Sequence, residues 1–208
     1  MERTRMTQET KTEASPREIL KILDRAARLK INTRHCETAP GRMESVADHS
    51  WRMALMAMLL SEIPEFQSLD MNRVIRMCLI HDLGEAFTGD IPTFVKTTAD
   101  ETSEDALFDE WVRSFPEPQR IEWKGLLMEM RAMETGEAKL YKALDKLEAV
   151  LSHDESDIST WLPLEYDLQF HYGREQVQFS PYLRKFKTVL DDMTREKIRA
   201  AGEGKEQE

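Results

Sequence analysis

Cysteine is nearly absent from this chain: Cys36 and Cys78 are the only two. That is too few for a disulfide framework, and Cys78 sits in the apolar run Val74 to Ile80, where a buried free thiol is the simple reading. Long hydrophobic runs are missing too, since the longest, Met53 to Leu60, is broken at once by Ser61-Glu62, which excludes a membrane-spanning helix. Residues 1–14 are polar and carry acids, unlike a signal or transit peptide, so a cytoplasmic location is expected. Positive charge is in deficit, with 29 Lys and Arg against 39 Asp and Glu, a net charge of -10 and a pI near 5.1. A sequence-independent grip on duplex nucleic acid needs clustered cations and is excluded, whereas a small anionic substrate can still be held by a few local ones.

Glycine and proline are scarce as well, eight of each in 208 residues, while Leu, Met, Ala, Glu, Lys and Arg abound. This composition predicts an all-α protein, and the length suits one domain with one core. Residues 1–14 are expected to be a disordered arm, 15–200 the domain and 201–208 a charged, disordered tail. Ser15-Pro16-Arg17-Glu18 carries the signals of a helix start, and the stripe Ile19, Ile22, Leu23, Ala26 continues it. Pro40-Gly41 then marks a loop over Asn32 to Arg42.

Apolar residues at spacings of three and four predict a second helix from Ser45 to Ser61 and a third from Met71 to about Glu85, stopped by Gly89 and Pro92. A polar loop is expected over Thr97 to Ser103, then helices over Glu104 to Phe115, Glu117 to Met133 and Gly136 to His153. An acidic turn at Asp154 to Ser159, a weaker helix over Trp161 to Tyr172 and a terminal helix over Pro181 to Ala200 complete the pattern.

Two of the five histidines, His49 and His81, fall in apolar helical stripes, where an unpaired imidazole is costly to bury. Asp82 follows His81 directly, and Asp145 lies in the middle of another apolar stripe. Two imidazoles and two carboxylates suit a borderline or hard divalent cation and leave positions open, a composition for catalysis more than for structure. For Asp145 a salt bridge to Lys142 or Lys146 is the competing reading. Glu85, four residues after His81, is placed to act as general acid or base. Glu44 and Asp48 either join this region or stabilise a helix start. Asp90 either caps the turn or touches the attacking water, and Lys96 is a surface cation or a phosphate partner. Arg34 and Arg42 have the guanidinium geometry for a phosphate.

The ordered words Glu44-Ser45-Val46-Ala47-Asp48-His49, His81-Asp82-Leu83-Gly84-Glu85 and Thr88-Gly89-Asp90-Ile91-Pro92-Thr93, closed by Asp145, resemble the HD-domain metal-dependent phosphohydrolases. Within them, the branch of 5′-deoxynucleotidases is the most similar. The resemblance covers about Ile19 to Tyr172 and implies a single helical bundle, commonly a homodimer, with the metal site between core helices. It implies hydrolysis of 2′-deoxyribonucleoside 5′-monophosphates using one divalent ion (Co, Mn, Zn, Fe or Mg). His49, His81, Asp82 and Asp145 become the ligands, Glu85 a proton carrier and Asp90 a positioning group. Arg34 matches a substrate-contacting arginine, His35 replaces a tryptophan beside it, and Lys96 matches a lysine that balances phosphate charge. A triphosphate or cyclic phosphodiester substrate, or a non-catalytic helical binding protein, is the alternative. No histidine lies between His81 and His153, which speaks against a di-iron member.

Overall fold

The computed structural model describes residues 13–205; most of the expected N-terminal arm and the last residues of the tail lie outside that range. The first helix, α1 (Pro16–Ala26), begins as its sequence dictates: the Ser15 hydroxyl accepts from the Glu18 N–H while the Glu18 carboxylate accepts from the Ser15 N–H at 2.8 Å. Such a box contributes roughly 1 kcal/mol to a helix start.

The stretch expected to be a loop is a β-hairpin, β1 (Thr33–Ala39) and β2 (Arg42–Ser45), antiparallel, with Ala39 opposite Arg42. Pro40-Gly41 makes its turn, and Gly41 supplies the positive φ of +74°. This two-stranded ribbon is an addition to an otherwise helical chain.

Helix α2 (Val46–Leu60) follows directly, capped by Ser45 and Asp48, so Asp48 is the helix-start acid of the two readings open for it. Helix α3 spans Met71–Ile80 and does not reach Glu85 as the periodicity predicts. The cause lies in His81: its Nδ1 bonds the Cys78 carbonyl at 2.9 Å, the acceptor that an uninterrupted helix would offer to the Asp82 N–H. The chain turns through 81–84 and resumes as the single turn α4 (Glu85–Thr88).

The expected loop over 97–103 is also a correction, because Thr97 caps α5 (Thr98–Arg113) in a reciprocal pair with Asp100. After α6 (Glu117–Ala132) comes α7 (Gly136–Glu155), around which the other helices assemble. It packs against α2, α3, α6, β1 and the terminal α9 (Pro181–Lys205), with the short α8 (Glu165–His171) between. The terminal helix continues past Ala200 to Lys205. Leu140, Leu144 and Leu147 of α7 are fully buried, each removal from water contributing about 1.5–3 kcal/mol. The acidic turn begins later than expected, since Asp154 is buried within α7 and accepts a hydrogen bond from Thr194 at 2.8 Å.

Candidate metal centre and its cleft

His49 lies in the first turn of α2 with its imidazole fully buried, and its Nδ1 is hydrogen-bonded to Glu148 of α7. The other oxygen of Glu148 accepts from Arg52 Nε at 2.6 Å. With Nδ1 committed to a carboxylate, Nε2 is the nitrogen that points inward. Burial and the Arg34 charge push His49 down, but Glu148 and Asp145 outweigh them and leave it up at about 9, so a proton and a cation compete for this nitrogen.

His81 is oriented the same way by a different partner, the Cys78 carbonyl, and its side chain is also buried. Its Nε2 stands 3.0 Å from Asp82 Oδ2 and 3.9 Å from Asp145 Oδ1. His49 Nε2 stands 3.4 Å from the same Asp145 oxygen and 3.9 Å from the same Asp82 oxygen. Neither Nε2 has a hydrogen-bond partner within the described residues, although both are buried. Two buried nitrogens without partners, facing two shared carboxylate oxygens, form a donor set that fits a divalent cation, and His49, His81 and Asp82 offer atoms all within 4.8 Å of one another.

Asp145 makes the salt bridges of the competing reading. Its Oδ2 binds Lys142 at 2.9 Å and Lys146 at 3.1 Å, while Oδ1 faces the imidazoles. Burial pushes its carboxyl up, and the two lysines overcome that and hold it well below the usual carboxylate range. Glu44 is not a helix-start acid: it is buried on β2, accepts from Ser152 at 2.6 Å and pairs with Arg34 at 3.2 Å. Glu44, His49 and Glu148 also cluster, but the guanidinium groups of Arg34 and Arg52 already neutralise that group.

The centre opens into a cleft of about 220 Å³. At its mouth on the metal side, Glu85 is buried and Asp90 half-buried. Burial, then the charges of Asp82, Asp90 and Glu104, push Glu85 up to about 10, so it carries its proton at neutral pH. Burial also raises Asp90, against Arg34. Glu85 reaches this place by the turn of α4 and not by lying one turn further along α3. Gly84 matters beside it, because a Cβ there would stand 2.7 Å from Glu104, the acid that binds Lys96 Nζ at 2.7 Å.

Arg34 projects from β1 with Nη1 3.6 Å from Asp82 Oδ2, so the arginine expected to meet a phosphate lies beside the candidate metal donors. Its neighbour His35 lines the same cleft, edge-on to Phe94 at 5.9 Å and 3.5 Å from Glu165. Arg42 lies apart from this group, paired with Asp48 at 2.8 Å. Reading the sequence alone missed Glu148 and Arg52, whereas Lys142 and Lys146 are the salt-bridge partners it expected for Asp145. The signal was present in Glu148, a carboxylate on the same apolar stripe as Leu144 and Leu151, where a partner was required.

Comparison with known proteins places these residues in context. The 5′-deoxynucleotidase HDDC2 of Homo sapiens is 31% identical over 147 residues, 70% of this chain and 66% of that protein. The 5′-deoxynucleotidase hdd1 of Schizosaccharomyces pombe is 27% identical over 170 residues, 78% of this chain and 79% of that one. The match thus spans just under two thirds of the human protein's length. Among solved structures, a predicted metal-dependent phosphohydrolase of Magnetospirillum magnetotacticum superposes with a TM-score of 0.74 at 26% identity, covering 90% of this chain and 97% of that one. The HD domain family matches residues 26–187, which run from the end of α1 into α9 and include every donor around the two orphaned imidazole nitrogens; the chain belongs to that family.

Proposed function

We propose that this chain is a metal-dependent phosphomonoesterase that hydrolyses 2′-deoxyribonucleoside 5′-monophosphates to deoxynucleoside and phosphate. The observation that carries it is the convergence of the His49 and His81 Nε2 atoms, buried and unpartnered, on the oxygens of Asp82 and Asp145. The 5′-deoxynucleotidase names of the relatives supply the substrate class. His49, His81, Asp82 and Asp145 would hold one divalent ion; imidazole with carboxylate admits Zn, Fe, Co, Mn or Mg. Bound there, such an ion supplies Lewis acidity to a phosphoryl oxygen and lowers the pKa of water.

The chain's own residues do the rest. Glu148 and the Cys78 carbonyl fix the two imidazoles with Nε2 inward. The Lys142 and Lys146 ammonium groups offset the negative charge that Asp82 and Asp145 place beside an anionic substrate. Arg34, already at the donors, turns toward the phosphate and neutralises charge as the phosphorus is attacked, and Lys96 adds a second cation from the loop before α5. Glu85, held protonated by its surroundings, donates to the departing 5′-oxygen, and Asp90 beside it orients the attacking water. His35 contacts the nucleoside side.

A cytoplasmic homodimer belongs to the same proposal. Among the described residues no helix is long and apolar enough to cross a membrane. The outer face of α2 leaves Trp51, Leu55, Met58 and Leu59 exposed, the kind of surface a second copy covers. The test is phosphate release from matched ribo- and deoxyribonucleoside monophosphates with several divalent metals. Release from deoxynucleotides that stops on chelation, and in His81→Ala and Asp145→Ala, is expected. Full metal-dependent activity in those variants would sink the ligand assignment.

A further inference from the structure

The single turn α4 carries Glu85, yet it has little of its own to hold it in place. A four-residue helix fixes many dihedral angles for few hydrogen bonds, and Gly84 at its start offers no side chain to cap it. One tie is Phe87, whose ring lies under the Arg25 guanidinium at 4.6 Å and edge-on to Trp111 at 5.7 Å. A second comes from 53 positions earlier in the chain: the Asn32 side-chain amide donates from Nδ2 to the Glu85 carbonyl at 2.5 Å. The Gly89 N–H donates to the same oxygen at 2.8 Å, so both of its lone pairs are used, one from within the turn and one from outside it.

Asn32 is also joined through its backbone. Its carbonyl accepts the N–H of Val46, the first residue of α2, at 3.0 Å, and the residue after it opens β1. Half-buried at this junction, it links the elements that bring Arg34, His49 and Glu85 to the centre. We infer that Asn32 is a positioning residue: by gripping the Glu85 carbonyl it sets the depth at which the Glu85 carboxyl stands in the cleft, in register with Arg34 and His49. The chemical use of this grip rests on the proposed function, in which Glu85 donates to the departing 5′-oxygen. A proton donor must lie within hydrogen-bond reach of the oxygen it serves, and a displacement of about 1 Å can cost roughly 10²-fold in rate. Because the bond to Val46 uses the Asn32 backbone, it survives a change of side chain, and variants test the grip on Glu85 alone.

Two variants, assayed as the full chain equilibrated with manganese, separate this role from packing. Asn32→Ala removes the donor, whereas Asn32→Asp keeps the size but turns an acceptor toward the Glu85 carbonyl. Both should bind metal at the wild-type stoichiometry and lower kcat on 2′-deoxyadenosine 5′-monophosphate by roughly 10- to 100-fold, with KM changed less than about threefold. Asn32→Asp should be no more active than Asn32→Ala, the reverse of what lost packing gives. Added to Glu85→Gln, Asn32→Ala should lower kcat by less than about threefold further, because the carboxyl it positions is already gone. Amide hydrogen exchange at Gly89 should rise about tenfold in Asn32→Ala, with α2 amides unchanged and thermal unfolding showing each variant folded. A full further loss on top of Glu85→Gln, recovery of activity in Asn32→Asp, or unchanged exchange at Gly89 would overturn the inference. A wild-type chain that releases no phosphate from the deoxynucleotide overturns the hydrolase reading and this role together; an active wild type with independent losses refutes only the present inference.

Discussion

At the scale of single residues, the site depends on which nitrogen of each imidazole is left free. Glu148 commits His49 Nδ1, and Arg52 in turn holds Glu148. Glu148→Gln should therefore weaken metal affinity by roughly 10- to 100-fold, read by titration with a competing chelator, because carboxylates behind ligating histidines typically contribute that much. Unchanged affinity would show that His49 does not need its partner. Glu85 makes a different prediction. As a protonated acid it should contribute about 10²–10⁴-fold to kcat, so Glu85→Gln should lose that factor while metal content stays at the wild-type level. The rate in the wild type should fall on the alkaline side as Glu85 gives up its proton, at or below its value of about 10, since a cation nearby offsets the repulsion from Asp82 that helps to raise it. Residues with a chemical reason for their place were legible in the sequence: His49, His81 and Asp145 stood out because polar groups do not enter apolar stripes without partners. What those partners were was not legible, since Glu148 and His49 lie 99 positions apart and nothing local relates them.

At the scale of elements, sequence reading succeeded where the signal was local and missed where two local signals competed. Ser15 with Glu18 and Ser45 with Asp48 announced their helices, and the structure has both boxes. Thr97 with Asp100 is the same signal, but it stands in a run of polar residues that predicts a loop, and the structure has it capping α5. The end of α3 shows the opposite case. Apolar periodicity runs through Leu83, yet the His81 side chain takes the carbonyl that would continue the helix, and no propensity records that competition. The end of α7 offers a test of packing energetics. Burial pushes Asp154 up to about 6, against its hydrogen bond from Thr194 and the nearby lysines. Its folded-state value lies above its ordinary 3.8, so between those values the folded chain holds a proton the unfolded chain has released. Stability should fall as pH rises through that window and level off above it. Asp154→Asn should accordingly raise the melting temperature by a few degrees at pH 7.5, the shift that about 1–2 kcal/mol gives in a domain of this size, and should have a smaller effect at pH 4. An equal gain at both pH values would contradict the assignment.

At the scale of the whole molecule, an acidic protein of net charge -10 builds a cleft lined by both signs of charge. Arg34 of β1, Lys96 of the loop before α5, and Lys142 and Lys146 of α7 all line it, which only the fold could bring together. Helix α7 makes this possible by carrying Asp145 and Glu148 toward α2 and α3 on one face, while its C-terminal half presents His153 to α8. The helical class was legible from composition, whereas the hairpin that brings Arg34 and His35 to the cleft was not. That hairpin rests on seven residues of β1 with no strong alternation of apolar and polar positions. Whether His49, His81, Asp82 and Asp145 together hold one divalent ion is decided by metal stoichiometry after equilibration with a divalent metal. One ion per wild-type chain is expected, with near-complete loss in Asp145→Ala and folding retained; a full equivalent of metal bound to folded Asp145→Ala would refute ligation by these four residues.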